Sequence, residues 1–163
     1  MRVLVAVASR HGATREIAEA IGRTLRERGL DAQVRDVEEA GDPAEWDAVV
    51  LGSAVYAGHW LGPAQKLTED QGEALRERPV WLFSSGPIGD PQRPEGEAAV
   101  ASAALVEATG AREHRIFAGR LDKSLLSFGE RAIVLAFRAS EGDFRDWAAI
   151  EAWAGEVADA LGE

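Results

Sequence analysis

The chain has 163 residues, 46% of them hydrophobic and 28% charged, which predicts one globular domain with a single substantial core and excludes intrinsic disorder. Its 18 basic and 28 acidic residues leave a formal net charge of −10, which repels nucleic acid and anionic lipid and favours basic partners, although the same charge also serves plain solubility. There is no cysteine, so disulfides, cysteine-ligated zinc or iron–sulfur centres and thiol catalysis are excluded, and a reducing, cytoplasmic location is expected.

Val3 to Ala8 is continuously apolar, as in a strand covered on both faces. This stretch is too short for the core of a signal peptide, and no run reaches the roughly 18 apolar residues of a membrane span. Peripheral membrane association is left open. Ser9-Arg10-His11-Gly12-Ala13 leads into a helix whose inner stripe, Thr14, Ile17, Ala18, Ile21 and Leu25, stops at Gly29. Ala32 to Val37 alternates apolar and polar residues and predicts an edge strand. Gly41-Asp42-Pro43 breaks the chain before the buried strand Ala48 to Leu51, which Gly52-Ser53 should end. Ser53 to Leu61 then reads as a loop, and Gly62-Pro63 opens a helix that closes before Pro79.

Val80 to Phe83 is a fourth strand, followed by a loop from Ser84 to Pro91 and an alanine-rich helix ending near Thr109-Gly110. Arg115 to Ala118, preceded by His114, supplies a fifth strand. Leu121 to Arg138 carries apolar residues on more than one helical face, with Lys123, Arg131 and Arg138 among them. Trp147, Ile150, Ala154, Val157 and Leu161 form the stripe of a last helix, with Asp143 or Asp146 as its cap. Apolar strands alternating with helices imply a parallel sheet covered on both faces.

Ligands of such sheets bind at the carboxyl ends of the strands, where strand order reverses. The loops Ser9 to Thr14, Ser53 to Leu61 and Ser84 to Pro91 therefore hold the candidate site. Gly-x-Gly-x-x-Gly and Gly-Lys-Ser/Thr are both absent after the first strand. The strand ends Ala8-Ser9 and Gly52-Ser53 lack the carboxylates of a phospho-receiver domain. Ser53 is not in Gly-x-Ser-x-Gly, and His11, His59 and His114 lack ligand spacing, so neither a hydrolase nor a metal site is expected. What remains is a small polar loop at a helix start, which can present N–H groups to a phosphate or simply cap the helix.

Ser9-x-x-Gly12-x-Thr14 resembles the phosphate loop of flavodoxins, in which hydroxyls and amides hold the FMN phosphate. Gly52-Ser53-Ala54-Val55-Tyr56-Ala57-Gly58-His59 is similar to the first isoalloxazine loop of one flavodoxin branch, the quinone-dependent protoporphyrinogen dehydrogenases. Gly142-Asp143-Phe144-Arg145-Asp146-Trp147 also resembles that branch, and the resemblance covers essentially the whole chain. It implies a flavodoxin-like three-layer α/β/α sandwich with a five-stranded parallel sheet in the order 2-1-3-4-5. Residues 1–163 would form a single domain with an extra amphipathic segment at about 121–138.

The resemblance implies FMN as cofactor, its phosphate held by Ser9, Arg10, His11, Gly12, Ala13 and Thr14. Ser53, Ala54, Val55, Tyr56, Ala57, Gly58 and His59 would line one side of the ring, and Ser84, Ser85, Gly86, Pro87, Ile88, Gly89 and Asp90 the other. Tyr56 is the expected stacking residue, while Trp60 should pack inward. Pro87 and Ile88 stand where flavodoxins commonly carry an aromatic residue, at a cost of about 0.5–1.5 kcal/mol of stacking. The implied activity is that of an FMN-dependent oxidoreductase of the protoporphyrinogen-dehydrogenase type. Its partners would be a redox protein or a quinone and a porphyrin substrate, and no catalytic side chain is assigned. In that branch the segment before the last helix supports activity with the hydrophobic substrate or quinone. Two other readings stand beside this one: a simple electron carrier, which the acidic charge suits, and a flavodoxin-like module that binds no flavin.

Overall fold

The computed structural model describes residues 1–56, 59–86, 97–118, 120–121, 142–143 and 145–162. In chain order the elements are β1 (Arg2–Ala8), α1 (Ala13–Glu27), β2 (Asp31–Asp36), β3 (Ala48–Tyr56), β4 (His59–Trp60), α2 (Gly62–Arg76), β5 (Val80–Ser85), α3 (Glu97–Thr109), β6 (Glu113–Phe117), β7 (Arg120–Leu121), β8 (Gly142–Asp143) and α4 (Trp147–Leu161). Single 3-10 turns occupy Val37–Glu39 and Pro43–Glu45. The parallel strands lie in the order β2-β1-β3-β5-β6, which is the expected arrangement, and the short β4 pairs antiparallel with β3.

The continuous apolar run of β1 is explained by its two faces. Val3, Val5 and Val7 enter one core layer with Ile17, Ile21 and Leu25 of α1 and Ile150, Trp153 and Val157 of α4. Leu4, Ala6 and Ala8 enter the other, with Ala64 and Leu75 of α2, against which Leu105 and Val106 of α3 pack. Each fully buried aliphatic side chain contributes about 1.5–3 kcal/mol, so neither face of β1 tolerates a polar residue. β2, covered less completely, keeps the alternating pattern of an edge strand.

The structure departs from the sequence expectation at β3, which continues past Leu51 to Tyr56. Gly52 does not end the strand: the Phe83 ring lies where its Cβ would be, so glycine here permits a close approach within the sheet. Val55 and Tyr56 then pair with Trp60 and His59, turning part of the expected loop into a hairpin. Ser84 and Ser85, read as loop, complete β5. At α4 the cap is Asp146, whose Oδ1 accepts from the Ala149 N–H at 3.1 Å.

β7 and β8 pair antiparallel, Arg120 with Asp143 and Leu121 with Gly142. Apart from Leu121, the segment expected at about 121–138 lies outside the described residues. Among the described residues no helix is long and apolar enough to cross a membrane.

Candidate functional site at the carboxyl ends of the strands

Strand order reverses between β1 and β3: α1 carries the chain from β1 to β2 on one side, and the chain returns to place β3, parallel to both, on the other. Ligands of open parallel sheets bind above this point. The register puts Ala8 of β1 beside Ser53 of β3, and Ser53 beside Ser84 of β5. The three loops picked out in the sequence therefore spring from neighbouring strand ends.

At the first of them the Gly12 N–H donates to Ser9 Oγ at 3.1 Å, curling the chain, and Gly12 has φ 87°, a left-handed conformation that glycine adopts without strain. The Glu16 N–H then bonds the Gly12 carbonyl at 3.1 Å, and Gly12, at the cap position, has no side chain to pair the first amides of α1. The first amides of a helix have no partner within it, and here the position of a Cβ on Gly12 meets nothing within 4 Å. An anionic group fits this positive end of the helix dipole. Thr14 is buried at 3% exposure, His11 and Ala13 are half-buried, and Arg10 is exposed.

At the second strand end Ser53 is fully buried, and its Oγ accepts from the Leu61 N–H at 3.0 Å while donating to the Ala54 carbonyl at 2.8 Å. Its hydroxyl thus fixes the passage from β4 into α2. Ala54 is buried, Val55 half-buried and His59 exposed; the Tyr56 side chain and Ala57 and Gly58 lie outside the described residues. Trp60 packs into the core beside α2, as expected, and its Nε1 donates to Ser84 Oγ at 2.7 Å.

The third strand end is built on that bond. Ser84 Oγ also lies 2.6 Å from His114 Nε2, and the Trp60 and His114 rings meet edge to face with centroids 6.1 Å apart. Burial lowers the His114 pKa below its ordinary value. Ser85 is buried, and Gly86, with φ 98°, donates its N–H to the Phe117 carbonyl at 2.9 Å. Pro87, Ile88, Gly89 and Asp90 lie outside the described residues.

Sequence reasoning places Arg145 in the Gly142 to Trp147 motif but gives it no role. Its side chain is only 5% exposed, and it makes a two-pronged contact with Asp143, Nε to Oδ1 at 2.9 Å and Nη2 to Oδ2 at 2.7 Å. Its Nη1 donates to Glu16 Oε2 at 2.8 Å and to the Ala13 carbonyl at 3.2 Å, and its Cζ sits 4.6 Å from the centre of the Trp147 ring. The bonds to Asp143 raise its pKa further above the ordinary arginine value, outweighing desolvation. The local signal is Asp143-x-Arg145, but the link to Glu16 joins residues 129 apart and leaves no trace in local pattern.

The profile of the family described as "Flavodoxin domain" matches residues 4–147. Among curated proteins, the protoporphyrinogen IX dehydrogenase [quinone] of Escherichia coli K12 is 30% identical over 86 residues, which cover 52% of this chain and 48% of that protein. The chain thus spans about half the length of the curated relatives it matches. Among solved structures, a flavodoxin from the domain Archaea superposes with a TM-score of 0.65 at 21% identity, covering 100% of both chains. A point mutant of a Pseudomonas aeruginosa flavodoxin gives 0.61 at 18% identity, again over 100% of both. These likenesses show the fold, and the match over residues 4–147 shows the family: the chain belongs to the flavodoxin domain family.

Proposed function

We propose that the chain binds FMN across the ends of β1, β3 and β5 and serves as a flavodoxin-type carrier of reducing equivalents. The observation that supports this most directly is the first turn of α1 behind left-handed Gly12, a cap residue with no side chain of its own, set at the strand ends where strand order reverses. Ser9, Arg10, His11, Gly12, Ala13 and Thr14 hold the phosphate, the first-turn amides and the Thr14 hydroxyl donating to it and Arg10 adding positive charge. A dianion there gains about 0.3–1 kcal/mol from the helix dipole, up to ~2 when partly buried. Ser53, Ala54, Val55, Tyr56, Ala57, Gly58 and His59 bound one side of the ring, and Ser84, Ser85, Gly86, Pro87, Ile88, Gly89 and Asp90 the other. FMN supplies the electron and hydride chemistry; the protein holds it and shapes its surroundings. The partner is a redox protein, and a cytoplasmic location goes with this reading.

Titration of the apoprotein with FMN, followed by flavin fluorescence, tests the proposal. Saturable, equimolar quenching is expected, with riboflavin, which lacks the phosphate, bound more weakly. Unquenched fluorescence at every protein concentration would leave the chain as a flavodoxin-like module without flavin. One observation favours a second reading, the 30% identity over 86 residues to a protoporphyrinogen IX dehydrogenase. Under it a quinone accepts the electrons, a porphyrin is the substrate and association with a membrane surface is peripheral. Its test is turnover of protoporphyrinogen with a quinone, and a rate no higher than that of free FMN rejects it.

A further inference from the structure

We infer that Arg145 is a positioning residue for the proposed phosphate site, tying the β7–β8 stem to the first turn of α1 and so setting the preference of that turn for a phosphate-bearing flavin. This inference rests on the FMN reading above. Three observations carry it. The guanidinium is almost wholly enclosed, and it spans Asp143 of β8, Glu16 and Ala13 of α1, and the face of Trp147 at the start of α4. One charged group thus fixes three elements at the point where strand order reverses.

The bond to the Ala13 carbonyl matters because a peptide unit is planar, with its C=O and N–H pointing in opposite directions. The Ala13 carbonyl also accepts within α1, and the Arg145 bond on its second lone pair adds a further hold on the direction of the Thr14 N–H, one of the first-turn amides that the helix itself cannot pair. Charge supplies the second reason. Glu16 sits in the first turn of α1, where its carboxylate opposes a bound phosphate, and Arg145 neutralises it at 2.8 Å. The stem supplies the third: Asp143, held in two places by Arg145, pairs with Arg120, so the β7–β8 pair is held beside the same turn. A purely structural arginine would stabilise the fold without distinguishing one flavin from another.

The experiment compares dissociation constants of FMN and riboflavin for the wild type, Arg145→Ala and Arg145→Lys. For Arg145→Ala the FMN constant should rise about tenfold, the effect expected from losing charge-assisted bonds, while the riboflavin constant stays within about twofold. Arg145→Lys keeps the charge but cannot span Asp143, Glu16 and Ala13 together, so its FMN-to-riboflavin preference should fall by at least about threefold. This variant carries the test if Arg145→Ala does not fold. Adding Glu16→Gln to Arg145→Ala should recover only part of the loss, because the Ala13 carbonyl still lacks its bond from the guanidinium. Full recovery would mean charge compensation alone and overturn the positioning role. A wild type that prefers FMN, with the same preference in both single variants, overturns this inference and leaves the FMN reading intact. A wild type that binds neither flavin overturns the FMN reading and this inference with it.

Discussion

Thr14 is the residue at which folding and the proposed ligand role meet. It is buried at the first turn of α1, behind a glycine that has no side chain to cap that turn. Thr14→Ala removes a hydroxyl worth about 1 kcal/mol in a net hydrogen bond, so FMN should bind roughly fivefold more weakly, and loss of the buried methyl should lower stability as well. Thr14→Ser, which keeps the hydroxyl, should restore binding, and equal FMN constants for wild type and Thr14→Ala would remove Thr14 from the phosphate site. His114 makes a different kind of prediction. Ser84 Oγ accepts from the indole N–H of Trp60 and lies 2.6 Å from His114 Nε2, so the serine proton can serve the neutral imidazole that burial favours. Burial lowers the folded-state pKa, so below the ordinary imidazole value of about 6.5 the unfolded chain takes up a proton before the folded one does. The contribution to stability is therefore complete above about pH 6.5 and is lost as pH falls through the folded pKa. Chemical denaturation across this range should show a smaller loss for His114→Gln than for wild type, and parallel profiles would count against the bond.

At the level of elements, Gly52 carries the clearest stability prediction. A Cβ on Gly52 would fall inside the Phe83 ring, and that ring cannot yield because it packs against Phe117 and Trp153 with centroids 6.4 and 6.2 Å away. Gly52→Ala should destabilise the protein by about 1–3 kcal/mol through overpacking, measured as a lowered denaturation midpoint at unchanged slope. The same glycine marks the limit of what the sequence discloses. β1, α1, α2 and α4 are legible because each repeats its apolar pattern over enough residues to identify the period and the buried face. β3 reads too short because Gly52-Ser53 has the composition of a strand end, whereas the glycine admits an aromatic ring and the serine hydroxyl is spent on Ala54 and Leu61. β4 has two residues and no period to detect. Of the site, the loop before α1 is legible as a helix start with a glycine at the right place. The Trp60–Ser84–His114 chain and the Arg145 tie are not, since they join residues 24, 30 and 129 apart.

For the whole molecule the controlling quantity is the charge of −10, together with where some of it lies. β2 ends at Asp36 and passes directly into the turn Val37–Glu39, so the exposed carboxylates of Glu38 and Glu39 stand at the same end of the sheet as the start of α1. Asp36 is partly offset by Arg15 at 2.9 Å, whereas Glu38 and Glu39 are surrounded by solvent and contribute to the outer field. Such a field attracts a basic acceptor towards this end before contact, and it is damped as the Debye length shrinks from about 30 Å at 0.01 M salt to about 3 Å at 1 M. Electron transfer from the reduced, FMN-loaded protein to a basic haem protein should therefore slow by about tenfold or more over that range, while reduction of a small neutral dye should hardly change. Replacing both Glu38 and Glu39 by Lys should flatten the salt dependence, since it shifts the local charge by four units without touching the core. A rate to the basic acceptor that is indifferent to salt would mean that the acidity serves solubility alone, and that recognition of the partner rests on short-range contacts at the strand ends.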